Sequence, residues 1–581
     1  MTDALLHARA APTALPTAGP DRRAGHAARE ALAVGGALAL FLLLAALEAR
    51  RFTYPIFDDV AYLDAGNQVR LLGGPLGLLR ALLAGTFTEA NRHPLYLGLL
   101  SLVARTAPGY HRDAQALTIG LGAVALLACW WTARRRLGPA PAAVLALLLA
   151  TNRTFVACAA REGCEPVLVA AWAFAVGALL DGLDPGRPRR LGPWLRAGLW
   201  SGVAYLAKGT GMFLPSSLAL TFLVVERRRA LSDRRAYVYA AGFLAAAAPL
   251  LVRNVRLFGS PFHNVNLEFL WMDRLPDFAE TFAPQAGALI PHGFLAYLHH
   301  LTPAALGQRV AVGLGETTFL LAESMAPVGG AAGGPAHVAA VLAGALATVA
   351  ALRHLARTAG GFARSFLFLH AGWTYLFLFV FSVNGGNTRY FLPLAATVLA
   401  PAFAHLVVAD VRAAGAPLRS RWAVRAAAVS VAAVVIALAL PPPAVVAPGM
   451  AEARDFIVRS VRPGDVYAVD ARTHLQPRWL TPAARQLTVS ASWQERPVDT
   501  ALLLDYLRRE RVRFVLLDGA STAHMASPSD PAGRRYLFYD RVPLEPDGSL
   551  PLTGFPGGLR PVYVDPHRPR RWVVLETPWA R

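Results

Sequence analysis

Pro55-Ile56-Phe57-Asp58-Asp59-Val60-Ala61-Tyr62 follows closely on the first long apolar stretch of the chain, residues 31–47, with Arg51 before it and Arg70 after it. Two adjacent carboxylates at the edge of an apolar segment repel each other and are costly to strip of water. A chain of apolar helices gains no stability by placing them there, so the pair argues for a function. It also marks a boundary between a helix that enters a membrane and a loop that leaves it, and the rest of the chain is read outward from that boundary.

The surroundings are apolar almost throughout. Of 581 residues, 55% are hydrophobic and only 16% charged, and the mean hydropathy is +0.39. That is too apolar for a soluble protein of this length and fits an α-helical polytopic membrane protein. The formal charge of +20 comes from arginines clustered between apolar runs, the pattern of cytoplasmic loops, so no nucleic-acid partner is expected. Cys129, Cys158 and Cys164 lie in or beside apolar runs, with neither metal-ligand spacing nor a set of pairs for disulfides, and no metal site is read from them. The tail 1–30 is rich in Ala, Pro and Arg. No A-x-A site follows the first apolar run, so the tail is read as cytoplasmic and the run as a retained anchor.

Arg22, Arg23 and Arg29 place the start of the first span inside, and the Asp58-Asp59 loop therefore outside. Further spans are read at about 114–132, 141–157, 166–180, 195–207, 212–225, 237–252, 338–351, 365–382, 391–409 and 423–440. Residues 71–92, with Leu76, Leu79 and Leu83 at helical spacing and Arg80 between them, suit a helix on the membrane surface. Residues 95–103 are apolar but too short to cross and are read as a partial or surface helix. The count is about eleven spans, give or take about two, with the N-terminus in the cytoplasm of a cell (plasma or inner) membrane and the C-terminus outside.

Four outer regions then face one another, namely 51–94, 159–165, 253–334 and 383–390. The longest carries Phe262, Phe269, Trp271, Phe278 and Phe282 among charges and reads as a lid, because loops of that length usually carry function. From Pro441 the pattern becomes that of a soluble protein. Helices at 450–462 and 500–511 alternate with strands at 465–469, 514–518 and 572–576, which describes a small extracytoplasmic α/β domain, 441–581, after a membrane module, 31–440. No internal repeat is apparent, which weakens an inverted-repeat transporter reading.

Candidate site residues gather in the outer regions. Asp58 or Asp59 is the best candidate general base, although an aspartate there also caps the following helix. Tyr62 lies one turn further on the same helical face. Arg389, in Asn384-Gly385-Gly386-Asn387-Thr388-Arg389-Tyr390, sits in a glycine-bearing turn at the outer start of a span, where its planar fork suits an anion; interfacial snorkelling, with Tyr390 as belt anchor, is the competing reading. Arg92 and His93 stand where Pro94 opens a helix that carries Tyr96, a helix start that favours an anion, with a role at the membrane surface as the competing reading. Arg161 with Glu162 and Glu165 forms either a local ion pair or part of a pocket. For Lys208, interrupting Tyr205-Leu206-Ala207-Lys208-Gly209, both a structural and a binding role stay open.

Taken in order, these stretches resemble the polyprenyl-phosphate-dependent glycosyltransferases of the GT-C fold, in the branch of the protein O-mannosyltransferases and the lipid A aminoarabinose transferase. The family's Asp-Glu and following tyrosine look like Asp58-Asp59 and Tyr62, with a shorter second acid. Its His/Lys-Pro-Pro-Leu-Tyr looks like His93-Pro94-Leu95-Tyr96, one proline short. Its Arg and Asp before a mid-chain span look like Arg161 and Glu165. Leu206-Ala207-Lys208-Gly209 with Pro215, and Arg389-Tyr390 with Pro393, complete the set. The resemblance covers residues 51–400 and implies a sugar donor on undecaprenyl or dolichyl phosphate, Asp58 as base and Asp59 in support.

That chemistry suits one carboxylate. A glycosidase needs a second carboxyl as acid because an alcohol leaves poorly, whereas a phosphate leaves as a stable anion, so one base and converging cations suffice. The expected enzyme inverts at the anomeric carbon, with Arg389, helped by Lys208 or His93, on the departing lipid phosphate. Its partners are the polyprenyl-phosphate donor, membrane lipid and a protein, lipid or glycan acceptor. Neither the sugar, the acceptor nor a divalent metal is read from the sequence. Two other readings are a flippase of a lipid-linked substrate, which would move it unmodified, and a non-catalytic assembly factor acting through residues 441–581.

Overall fold

The computed structural model describes residues 20–264 apart from 53–54, 56–57, 90, 106–108 and 185–189; residue 299; residues 301–412 apart from 329–333, 360 and 383–386; and residues 449–579 apart from 471–474, 476–479, 482–484, 490–499, 520–537, 539–541 and 543. The span read at 423–440 and, within the region read as a lid, residues 265–298, 300 and 329–333 lie outside the described residues.

Helices α1 (Pro20–Ala49), α2 (Asp58–Leu71), α3 (Gly74–Ala84), α4 (Pro94–Leu100), α5 (Tyr110–Leu137), α6 (Pro139–Ala150), α7 (Arg153–Ala159), α8 (Glu165–Gly182), α9 (Gly192–Ala207), α10 (Phe213–Val225) and α11 (Arg234–Phe258) form the first part of a helical body. They are joined by α12 (Pro303–Ser324), α13 (Pro335–Thr358), α14 (Gly361–Ser382) and α15 (Leu392–Val411). Among the described residues, seven helices are long and apolar enough to cross a membrane: the part of α1 from Ala28, α5, α8, α11, α13, α14 up to Val380, and α15. Three shorter apolar segments, Gly74–Ala84, Pro139–Ala150 and Gly209–Val225, accompany them.

Up and down runs of the chain put α1's C-terminus, the N-termini of α5, α8 and α15, and the C-termini of α9 and α11 at one end of the body. The arginines Arg134–Arg136, Arg227–Arg229, Arg353 and Arg357 fall at the other end. Close packing of α9 on α11 is set by small residues. A Cβ on Gly198 would stand 2.0 Å from the Tyr239 carbonyl oxygen, so the two backbones touch as they can only over glycine. The core between spans is filled by Trp172, Trp194, Phe213, Phe366 and Phe391, all buried.

Three expectations need correction. The segment read as one span at 141–157 is two helices, because α6 stops at Ala150 and Asn152 caps α7 by accepting a hydrogen bond from the Phe155 N–H. Its amide also donates to the Ser324 carbonyl at 2.8 Å, tying the break to the end of α12. The region read as an outer loop at 253–334 begins with the last turn of α11 and contains the 22-residue α12; Arg309, Glu316 and Glu323 interrupt its apolar face and hide it from a hydropathy reading. The surface helix read at 71–92 is the shorter α3, and its Leu76, Leu79 and Leu83 are exposed as that reading requires.

α15 opens irregularly. A 3₁₀ turn at Thr388–Tyr390 leads into it, and Ala395–Leu399 is π-helical. Farther along, residues 450–576 form a five-stranded sheet from β1 (Val466–Asp470), β2 (Arg485–Val489), β3 (Phe514–Asp518), β4 (Arg560–Val564) and β5 (Trp572–Glu576), in the order β2-β1-β3-β5-β4. β1 pairs in parallel with β2 and β3, while β5 pairs antiparallel with β3 and β4. Helices α16 (Met450–Ser460) and α17 (Thr500–Arg509) accompany the sheet. The two strands missed in the sequence, β2 and β4, are its edges, where a charged start and Pro561 mask the strand pattern.

Candidate active site

Helix α2 starts on its acids. Asp58 and Asp59 occupy its first turn, where the unpaired backbone N–H groups of a helix N-terminus favour negative charge. The two carboxylates then part company. Asp59 turns inward, is buried, and accepts from Arg161 Nη2 at 2.9 Å and Nε at 3.2 Å. Asp58 keeps a side chain 43% exposed and accepts from Arg389 Nη2 at 2.9 Å.

From Asp58 a chain of alternating charges runs inward. Arg92 Nη2 lies 3.6 Å from Asp58 Oδ1, Arg389 Nε lies 3.7 Å from Glu165 Oε1, and Lys208 Nζ donates to the same Glu165 oxygen at 2.5 Å. Tyr390 lies between two of these cations, its ring 4.9 Å from Lys208 Nζ and 5.5 Å from the Arg389 guanidinium carbon. The sequence Arg92, Asp58, Arg389, Glu165, Lys208 carries one more cation than anion. Burial alone would raise the Asp58 pKa, yet the charges of Arg389, Arg92 and Lys208 and the Arg389 hydrogen bond bring it down to about 2.

The turn between α7 and α8 supports this arrangement. The tight turn aims Arg161, Glu162 and Glu165 at partners on three different elements. Arg161 goes to Asp59 and lies over the Phe52 ring, Glu165 goes to Lys208, and Glu162 meets His111 Nδ1 at 2.5 Å. His111 Nε2 lies 2.9 Å from the Phe52 carbonyl oxygen. A carbonyl only accepts, so Nε2 carries a hydrogen, and a proton must also lie between Nδ1 and Glu162. Gln115 Nε2 donates to the same carbonyl at 3.2 Å. The backbone that leads to Asp58 is thus held from α5, a support the sequence reading overlooked because a lone histidine in a span start gives no spacing signal. Exchange of His111 for leucine should lower thermal stability by about 1–3 kcal/mol, since it leaves Glu162 buried without its partner; an unfolding scan of the purified chain checks this, with partial recovery expected for glutamine.

Other sequence candidates point elsewhere. Tyr62 is buried, with its hydroxyl 3.3 Å from Cys164 Sγ and its ring edge-on to Tyr96; of the charged chain only Arg92 meets it, its guanidinium carbon 5.5 Å from the ring centroid. The Tyr96 hydroxyl donates to Thr118 Oγ1, which donates to the Ala114 carbonyl. His93 is held on α9, its Nδ1 2.5 Å from the Tyr205 carbonyl oxygen. Among the described residues there is no group of three or more His, Cys, Asp or Glu placed to hold a metal.

Comparison with known proteins bears on this geometry. Residues 110–252 match the dolichyl-phosphate-mannose-protein mannosyltransferase family, a region that holds Arg161, Glu165 and Lys208 but neither Asp58 nor Arg389. No curated protein matches the chain. Among solved structures, ArnT from Cupriavidus metallidurans in the apo state is 14% identical over 95% of this chain and 98% of its own, with a TM-score of 0.51. The oligosaccharyltransferase of Archaeoglobus fulgidus tethered with an acceptor peptide containing the NVT sequon is 13% identical over 91% of this chain and 79% of its own, with a TM-score of 0.50. At such identity the likeness is one of fold. The chain therefore shares the GT-C fold of these membrane proteins, and its residues 110–252 are similar to the mannosyltransferase family.

Proposed function

We propose that the chain transfers a sugar from a polyprenyl-phosphate donor to an acceptor on the extracytoplasmic side, with inversion and with Asp58 as general base. The observation that carries this reading is the alternating chain of charges, with its excess cation and its one partly exposed carboxylate, Asp58. Arg389, Arg92 and Lys208 suit the phosphate that leaves, and Asp58 suits the proton that the attacking hydroxyl or amine must lose. Asp59 and Arg161 brace the start of α2. Glu165 holds Lys208 and faces Arg389, so that neither cation is buried without a counter-charge.

A carboxylate held near a pKa of about 2 is always charged at neutral pH, but it is a weak base. A donor phosphate would draw the Arg389 fork from Asp58, and the lost ion pair would raise the carboxylate's proton affinity when it is needed. The pH profiles test this exchange. For kcat/KM, which reports the free enzyme, no acid limb from Asp58 is expected above about pH 3; for kcat, which reports the loaded enzyme, the limb should move up by a unit or more. Coincident limbs would overturn the exchange of partners.

The reaction itself is tested with the purified full chain and polyprenyl-phosphate mannose, glucose or N-acetylglucosamine. Release of polyprenyl phosphate together with a new glycosidic bond of inverted anomeric configuration is expected. Movement of intact donor across the bilayer with no bond formed would overturn the proposal in favour of a flippase.

A further inference from the structure

We propose that His93, Thr210 and Asn264 form an uncharged subsite around Gly209 that takes hydroxyl groups of the donor sugar, beside the cations that suit its phosphate. The inference rests on the donor chemistry proposed above and assigns a separate part of it to separate residues. It also departs from the expectation that His93 helps to hold the phosphate.

The tautomer of His93 is fixed by its partner. Nδ1 lies 2.5 Å from the Tyr205 carbonyl oxygen, and because a carbonyl only accepts, Nδ1 carries the hydrogen. The ring is also held edge-on to the Tyr205 ring, with centroids 5.1 Å apart. Nε2 of the neutral ring is then a bare lone pair. Burial disfavours a second proton, and the nearby charges of Arg253 and Lys208 add to it against the pull of the Tyr205 carbonyl, which brings the pKa down to about 4. A lone pair repels a phosphate oxygen. What it binds is a donor, and a sugar presents hydroxyls.

Gly209 shows what surrounds that lone pair. A Cβ at this position would stand 2.5 Å from Asn264 Nδ2 and 3.3 Å from His93 Nε2, so both groups approach the same side of the Gly209 backbone. The next residue, Thr210, has a buried hydroxyl oxygen with no hydrogen-bond partner among the described residues. A buried hydroxyl left without a partner is costly, and a ligand hydroxyl at this point would remove that cost. An acceptor nitrogen, an amide and a hydroxyl, which donates and accepts, match neighbouring sugar hydroxyls and carry no net charge. Lys208, one residue earlier, commits its ammonium to Glu165 and the Tyr390 ring. The strap Lys208-Gly209-Thr210 thus carries a cation paired with Glu165 next to uncharged groups suited to hydroxyls.

Binding of two lipids by the full chain in nanodiscs separates these roles: sugar-free polyprenyl phosphate, and the glycosylated polyprenyl phosphate, of the three named above, that wild type binds most tightly. Thr210→Val, His93→Ala and Gly209→Ala should each weaken the sugar-bearing lipid ten-fold or more while changing the bare lipid less than two-fold. His93→Lys should weaken the sugar-bearing lipid and tighten the bare one. Equal weakening of both lipids, unchanged binding by Thr210→Val, or a His93→Lys variant that holds the sugar-bearing lipid as tightly as wild type would overturn the subsite. Wild type that binds none of the polyprenyl lipids would overturn the donor reading itself, and Arg389→Ala marks the difference by weakening both lipids alike.

Discussion

Replacing Asp58 by asparagine is expected to lower sugar transfer by about two to four orders of magnitude, the usual loss when a positioned general base is removed. The amide keeps the size of the carboxylate and an oxygen that Arg389 Nη2 can still donate to, so the change removes proton affinity more than it removes structure. Asp58 is also the more exposed of the two acids, and a pair half in solvent adds little to stability. The variant should therefore unfold close to the wild-type temperature. Asp59→Asn is the contrast: Asp59 is 2% exposed and takes two hydrogen bonds from Arg161, so this change should lower stability more and the rate less. Initial rates and unfolding scans of both variants check the contrast, and a wild-type rate in Asp58→Asn would end the assignment of Asp58 as base.

Loss of Arg389 should be nearly as damaging. Removal of one strong donor from a developing anion typically costs about 10²–10³ in rate, and Arg389→Ala should fall in that range. Lysine should not restore it. The guanidinium works in two directions at once, with Nη2 on Asp58 and Nε toward Glu165, and a single ammonium cannot span both. The fold should tolerate the change, since buried Glu165 keeps Lys208 at 2.5 Å. Measuring kcat and KM separately for Arg389→Ala and Arg389→Lys tests the role: a rise in KM alone would make Arg389 a binding group without influence on the leaving phosphate.

Much of the site could be read from residue types at span boundaries. Asp58, Asp59, Arg161, Glu165, Lys208 and Arg389 are ionisable groups where apolar helices end, and cost alone singles them out. Pairing was not legible. Arg161 stands next to Glu162 in sequence but reaches Asp59, 102 residues away, because the direction of a side chain from a turn depends on dihedrals that sequence spacing does not fix. Tyr62 illustrates the same limit. Helical spacing put it on the face of Asp58, and its ring does lie under Arg92, but its hydroxyl reaches Cys164 and its ring meets Tyr96, partners on other elements that spacing cannot name. The fold was legible where hydropathy was unbroken. It was not legible at α12, whose charges imitate a loop, or at the sheet edges, whose residues guard against pairing with other chains.

The π-helical segment Ala395–Leu399 begins six residues beyond Arg389. A π turn accommodates a surplus residue, and each residue of an α-helix advances the side-chain direction by about 100°. The azimuth of Arg389 is thus a property of the register of α15 as much as of the arginine itself. Deleting one residue from 395–399 would let the helix regularise and swing Arg389 and Tyr390 by about a quarter turn with every side chain intact. In this chain an insertion or deletion far from the acids can silence the site as thoroughly as a substitution within it.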